Sequence, residues 1–253
     1  MTDDVASPLD RSLAAGRPTA SYKGGKLQDY HMQQNKELRA VDPVPVDYHP
    51  GAIRGESSGA VAADQTLTGL YEAWATIQKA ADSGAPIHEV GALGERALSK
   101  ALAASDKTIG TLTVREQALE IKIREIVQPK ISDSFAGEIR TYVRQEVTDR
   151  SGKLNMSRLS KITSAAKEDK RIASAILEAP AILSGLTGEA LGVFRGQIVD
   201  HYAYDTQAEL LETQRARQHL EKARNRAIET LGPKIASWKE RTLDAHKKLR
   251  ELA

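Results

Sequence analysis

The residues that could do chemistry in this sequence are not spaced as familiar catalytic sites require. Gly24, Gly25 and Lys26 suggest a phosphate-binding loop. That motif needs Gly at position 20 and Ser or Thr at position 27, where this chain has Ala20 and Leu27. We therefore expect an ordinary turn at residues 24–26, and we expect that the protein is not an enzyme.

Histidines and carboxylates predict neither a metal site nor a cofactor site. His201 and Asp205 are four residues apart and could share a helix face, but no second pair lies nearby at matching spacing. The chain has no Cys, which excludes thiolate ligands, disulfides and cysteine nucleophiles. The histidines are scattered singly, at His31, His49, His88, His201, His219 and His246.

Two basic segments are the electrostatic features that suggest a ligand. Residues 150–171 contain seven Lys or Arg against two acidic residues, and residues 215–226 form a second basic stretch. Such patches can bind phosphate backbones. The net charge is only +2, and no aromatic residues alternate with the basic ones, so solvated or subunit-pairing faces are favoured. The candidate nucleic-acid contacts are Lys153, Arg158, Lys161, Arg215, Arg217 and Arg224.

The elements that carry these residues are predicted to be helices. Ala, Leu, Glu, Lys, Arg and Gln dominate after residue 65 and are strong helix formers. The prediction is an all-α, elongated helical bundle with a long C-terminal helix and an extended, largely irregular N-terminal arm. No run of about 18 apolar residues exists, and the acidic N-terminus is unlike a secretory signal, so we expect a soluble protein without a transmembrane span.

Residues 1–64 are predicted to form the arm. Five of the nine prolines lie there, and Pro alternates with β-branched residues between positions 41 and 50, which favours extended backbone. Two interpretations stay open: a disordered tail, or an arm that becomes ordered on a neighbouring subunit. The second is suggested by large side chains that are candidate subunit contacts, namely Tyr22, Val44, Val46 and Tyr48.

Residues 65–186 are predicted to form the helical bundle. Apolar residues at steps of three and four indicate helices at about 67–83, 86–104, 105–128 and 131–147, and shorter helices at 157–168 and 169–178. Ser105 or Asp106 is expected to cap the third helix, and Pro129 to kink or break it. Between residues 109 and 126 the stripe is heptad-like, as in a coiled coil, although it covers fewer than three heptads.

Residues 187–253 are predicted to form one long helix, interrupted near Gly232 and Pro233 and followed by a terminal helix of about 20 residues. Between residues 206 and 225 the large apolar residues are Leu210, Leu211 and Leu220. A helix with so little apolar surface is expected to complete its packing on other chains. The corresponding candidate subunit contacts are Leu231, Ile235, Trp238 and Leu249.

The stretch from about residue 165 to 235 resembles small helical structural proteins of tailed bacteriophages and prophages. The resemblance is carried by Ile172, Ile176 and Leu177, by the apolar turn between Pro180 and Gly188, and by the Arg-, Gln- and Glu-rich helix that follows. It implies a virion component that is synthesised in the host cytoplasm. It carries no functional residues that could be transferred to this chain.

Two functions are compatible with this sequence. The favoured hypothesis is a non-enzymatic structural or assembly protein of a multi-subunit particle, with a bacteriophage virion as the setting. Its expected partners are other virion or assembly proteins and copies of itself, bound through the arm and the long helix, and no membrane. The alternative is a nucleic-acid-binding or packaging accessory protein that uses the basic helical patches.

Overall fold

The computed structural model describes residues 39–148 and 154–251, with side chains as far as Arg241. In this part of the chain, seven α-helices follow one another, joined by turns and irregular segments. The predicted all-α fold is confirmed, and so is the long C-terminal helix. The helices are α1 Ser58–Asp82, α2 Ile87–Val127, α3 Asp133–Val147, α4 Met156–Glu168, α5 Lys170–Leu177, α6 Gly188–Tyr202 and α7 Tyr204–Glu251, with 3-10 turns at Val46–Tyr48 and Ala181–Ser184.

The chain divides into two compact units. Unit 1 contains, among the described residues, 39–44, Glu72–Ser99 and 227–251, and unit 2 contains Pro45–Tyr71 and the described part of Lys100–Arg226. In unit 1 the helices approach closely at Gly94, where an added Cβ would lie 3.1 Å from Cγ1 of Ile235. The core of unit 1 is built from Trp74, Ile77, Val90, Leu98, Leu231, Ile235 and Trp238.

Unit 2 has an apolar core in which α2, α3, α4, α5, α6 and the start of α7 all take part. Phe194 and Ile198 of α6 are fully buried there, together with Val143 of α3. Side-chain caps fix where three of these helices begin, because each accepts from an otherwise unpaired backbone N–H. The caps are Ser132 on the N–H of Phe135, Asn155 on that of Arg158 and Thr187 on that of Ala190.

Asp169 caps α5 and pairs with the side chain that follows it. Its Oδ1 accepts from the backbone N–H of Arg171 at 2.9 Å, and the Arg171 guanidinium donates to both carboxylate oxygens. These hydrogen bonds hold the pKa of Asp169 below its usual 3.8. The folded state thus binds fewer protons than the unfolded state near that pH, so this contribution to stability is present in full above the unfolded pKa and is lost as the pH falls through the lowered pKa of the folded state.

Replacing Asp169 by Ala is expected to lower the free energy of unfolding by about 1 kcal/mol at neutral pH, because the cap is lost. The difference from wild type should shrink as the pH falls through the lowered pKa of Asp169, because its carboxylate is then protonated. Urea unfolding of both proteins at neutral pH and at an acidic pH below that pKa measures it. Asp169→Asn keeps a capping oxygen and should lie closer to wild type at neutral pH. A loss that is the same at both pH values would contradict the role of the charge.

Helix boundaries before residue 130 differ from the prediction in two places. α1 begins at Ser58 instead of residue 67, because the Ser57 Oγ accepts from the backbone N–H of Ala60 and starts the helix there. α2 runs unbroken for 41 residues through the predicted boundary at Ser105. Ser105 is buried and its hydroxyl donates to the carbonyl oxygen of Ala101 at 2.9 Å, so a good capping residue is accommodated inside the helix.

The predicted interruption at Gly232 and Pro233 is wrong, since α7 continues through Pro233. A proline inside a helix costs about 3 kcal/mol, because it lacks the N–H and its ring crowds the preceding turn. On both sides of it, however, Leu231, Ile235 and Trp238 are buried at helical spacing. Burying each such side chain contributes about 1.5–3 kcal/mol, which together outweighs the cost of the proline.

The long helix is instead interrupted at Ala203, which adopts φ −135° and ψ 27° between α6 and α7. Tyr202, directly before it, lies with its hydroxyl 2.7 Å from the carbonyl oxygen of Lys167 and 3.0 Å from that of Ala166, at the end of α4. Burial, and in addition the charge of Asp169, raises the pKa of Tyr202, so the hydroxyl remains a proton donor. Neither Gly nor Pro marks this break in the sequence.

The apolar-poor middle of α7 is packed within its own chain, contrary to the prediction. In unit 2, Leu210, Thr213, Ala216, Leu220 and Ala223 form a continuous buried stripe at steps of three and four. Most of its members are small, so the helix packs closely without large apolar side chains. In the same unit α7 packs on α2, where Arg217 pairs with Glu116 at 2.6 Å.

Candidate functional site

The predicted subunit contacts near the end of α7 lie inside the protein. Leu231, Ile235 and Trp238 are almost completely buried in unit 1, so they are not available to a neighbouring subunit. The prediction that they contact another chain is therefore wrong, because α1 and α2 of unit 1 already supply their packing partners. The side chain of Leu249, and all of Tyr22, lie outside the described part of the chain.

The described end of the predicted arm is also held by its own chain. Within unit 2, the Tyr48 ring meets the His219 ring edge-on at 5.9 Å, and Nε2 of His219 lies 2.6 Å from the carbonyl oxygen of Asp47. The backbone N–H of Gly51 donates to Asp64 at 2.9 Å. Residues 45–57 therefore follow α1 and α7 of the same protein. In this region Val46 is 82% exposed and Val44 is half-buried.

One sequence pattern at the start of α1 matches a known catalytic motif, contrary to the expectation that the chain contains none. Residues 55–59 read Gly-Glu-Ser-Ser-Gly and so fit the Gly-x-Ser-x-Gly nucleophile elbow, which sits between a strand and a helix. Here Ser57 follows an irregular segment, its Oγ caps α1, and its backbone N–H donates to Glu212 at 3.1 Å. The structure therefore gives this serine a capping role.

Three of the five candidate nucleic-acid contacts that the structure describes are engaged in ion pairs. Arg217 donates to Glu116 and to Glu221, both at 2.6 Å, and the hydrogen bond that it donates to Glu116 is the main cause that raises the pKa of Arg217. Arg224 pairs with Asp106 at 2.6 Å. Arg158 lies 3.7 Å from Glu146. Lys161 and Arg215 are exposed, and Lys153 lies outside the described residues.

Two of the arginines that were candidate nucleic-acid contacts therefore form ion pairs between α7 and α2 instead. Glu116 is buried and its partner Arg217 is largely covered, so this pair belongs to the helix interface of unit 2. Arg115 and Glu209 form a further pair across the same two helices. These ion pairs orient α7 on α2. They also leave no continuous row of unpaired positive charges among these residues.

The histidine and the carboxylate that could have shared a helix face lie on different helices, because the break at Ala203 separates His201 of α6 from Asp205 of α7. His201 and Asp205 are both exposed, and the His201 ring contacts the ring of Tyr202 with centroids 4.7 Å apart. Among the described residues, no three His, Asp or Glu side chains are grouped as a metal site would require. No helix of the described chain combines the length and the apolar character that a membrane crossing would need.

A cavity of about 480 Å³ in unit 2 is the strongest candidate for a binding site; we call it the α6 groove. Its apolar floor is built from α2, α5, α6 and α7, and its rim carries both acidic and basic side chains. The floor residues are Ile123, Val127, Leu177, Val199 and Leu210, and the rim residues are Glu120, Arg124, Gln128, Arg195, Asp200 and Gln207.

One wall of the α6 groove is bare because it consists of two glycines. Gly192 and Gly196 lie one turn apart on α6, and a Cβ added at either would meet nothing within 4 Å. Because of this open space, packing within the chain does not require glycine at these positions. Keeping each Gly in the helix costs about 1 kcal/mol of stability relative to Ala. What the glycines provide is space above an apolar floor, which allows another backbone to approach closely.

Comparison with protein-family models, with curated proteins and with solved structures finds no match for this chain. The function of the protein is therefore inferred from the shape of the α6 groove and from the residues that line it.

Proposed function

We propose that this chain is a non-enzymatic structural or assembly protein of a multi-subunit particle, and that it binds a second copy of itself through the α6 groove. The observation that carries the proposal is the groove itself: a depression open to solvent, with glycines on one wall and charges of both signs on the rim, above apolar side chains that are largely covered. Concave sites with an apolar lining and a few polar groups are typical binding sites.

The charges on the rim support a protein partner over nucleic acid. Glu120 and Asp200 stand beside Arg124 and Arg195, so the rim carries two residues of each sign. A phosphate backbone would be repelled by the two carboxylates. A two-fold contact between identical chains brings the same surface together twice, and a rim with both signs can satisfy itself in such a contact.

The proposed setting is a bacteriophage virion, and it depends on the resemblance carried by residues 165–235. That stretch supplies a large share of the groove, including Leu177 on the floor and the glycine wall on α6. The route of assembly differs from the one expected from the sequence, because the middle of α7 and residues 45–57 are occupied within the chain. Contact through the α6 groove replaces contact through the long helix.

Hydrogen exchange at two protein concentrations tests which surface associates. We expect backbone amides of α6 and of residues 120–127 in α2 to exchange more slowly at high concentration, because a second chain covers them. Amides of α1 should exchange equally at both concentrations. Concentration-dependent protection that spares α6 would contradict the proposed surface, and protection that never changes with concentration would contradict self-association.

A further inference from the structure

A second cavity in unit 2, of about 640 Å³, lies along α3; we call it the α3 notch. It is separate from the α6 groove, since the two share no lining residue. Six of its described lining residues come from α3 and the residue that follows it, and one comes from the turn Ala181–Ser184. They are Gly137, Arg140, Thr141, Arg144, Gln145, Thr148 and Leu183.

The two arginines of the notch differ from those between α2 and α7. Among the described residues, neither Arg140 nor Arg144 makes an ion pair, whereas Arg217 and Arg224 each have a carboxylate partner at 2.6 Å. The described lining of the notch includes no acidic side chain. The α6 groove, in contrast, carries two carboxylates. Among the described residues, the lining of the α3 notch therefore carries two positive charges and no negative one.

Packing around the notch holds both arginine side chains in place. Arg140 Nη1 lies 3.4 Å from the carbonyl oxygen of Ala175 and donates to it. Gly185, with φ +68°, packs against α3 so closely that an added Cβ would lie 3.0 Å from Cγ of Arg144 and 3.0 Å from Oγ1 of Thr148. The stem of Arg144 is thus confined by the turn, and the residue lines the notch.

We propose that the α3 notch binds a doubly charged phosphate group, as carried by a phosphate monoester or pyrophosphate. Arg140 and Arg144 are one helical turn apart, about 6 Å along the axis, and together match two negative charges. A guanidinium can donate two parallel hydrogen bonds to phosphate oxygens. Gln145 and Thr148 add neutral donors at the same edge. This site is independent of the proposed self-association.

Calorimetric titration of the full-length chain tests the site, with inorganic phosphate and pyrophosphate as probes and sodium chloride used to keep ionic strength constant. We expect saturable binding. Arg144→Gln should weaken it about tenfold, because a charge-assisted pair of hydrogen bonds is lost. Gly137→Leu keeps both charges but fills the notch, where a Cβ meets nothing within 4 Å, and should also weaken binding. Arg124→Gln, in the α6 groove, is the matched control and should leave binding unchanged.

Three results would overturn the proposal: no saturable binding of either probe, equal binding by wild type and Arg144→Gln, or equal binding by wild type and Gly137→Leu. A short phosphodiester oligonucleotide forms a separate arm of the experiment. If it binds while pyrophosphate does not, the notch belongs to nucleic acid and the assignment to a phosphate dianion is wrong. Thermal unfolding of each variant, compared with wild type, verifies that the fold is kept.

Discussion

Replacing Trp238 by Ala is expected to lower the free energy of unfolding of unit 1 by about 3–5 kcal/mol, the range for a buried Trp truncated to Ala. Trp238 is almost completely buried, and its Cβ lies 3.4 Å from where a Cβ of Gly91 would stand, so α2 and α7 meet here without room to collapse. The remaining tryptophan, Trp74, lies in the same unit, so its fluorescence during urea unfolding follows the effect.

The matched control for this change is Trp238→Phe, which keeps most of the buried area and should cost clearly less than Trp238→Ala. If Trp238 instead served a neighbouring subunit, as the sequence suggested, its truncation would leave the unfolding of the isolated chain almost unchanged. That result would contradict the placement of this residue in the core.

Replacing Leu220 by Ala is expected to cost about 2–5 kcal/mol, although it lies in the stretch of α7 that has few large apolar residues. Its side chain is 0% exposed, inside the stripe of small residues that packs in unit 2. Leu211→Ala, on the same helix, is the matched control because Leu211 is 41% exposed, and it should change stability by less than about 0.5 kcal/mol.

The pair of leucine variants separates two accounts of the long helix. Far-UV circular dichroism during urea unfolding measures both, since unit 2 contains no Trp. Packing within the chain predicts a large effect at position 220 and a small one at position 211. Equal and small effects at both positions would mean that the middle of α7 is exposed in the isolated protein, as its composition had indicated.

Sequence patterns predicted the helical class well, because large apolar residues at steps of three and four mark most of the bundle helices. Counting large apolar residues failed for α7, since Ala216, Ala223 and Thr213 belong to its buried stripe and none of these three has a large apolar side chain. Their spacing of three, four and seven from Leu220 was the available signal, but it becomes informative only when a neighbouring helix approaches closely.

Helix ends that a local interaction decides leave a signal in the sequence, although the cap at Ser57 was missed. The caps at Asn155 and Thr187 are local, whereas continuation through Pro233 depends on burial of Ile235 and Trp238 in unit 1. The break at Ala203 accompanies the contact between Tyr202 and the end of α4, more than 30 residues away in the chain. Contacts between residues so far apart in the chain cannot be predicted from local sequence patterns.

The two cavities could not be predicted from the sequence for a related reason. Arg140 and Arg144 lie outside the segments that were counted as basic, and what distinguishes them is the absence of described ion-pair partners around a shared space. Gly192 and Gly196 were unremarkable as glycines in a helix until the apolar floor beside them was known. In both cases the lining of the cavity is determined by which helices and turns pack together, and not by a local sequence motif.

The mass of the purified protein in solution, measured by light scattering over a range of concentrations, tests the central claim most directly. For wild type, we predict a rise from the 27.5 kDa of one chain toward twice that value. The variant Gly192→Leu/Gly196→Leu, which fills the α6 groove, should remain at the mass of one chain, while Gly110→Leu, a control in open space on α2, should behave as wild type. A mass of one chain for wild type at every concentration, or association that filling the groove does not reduce, would contradict the account.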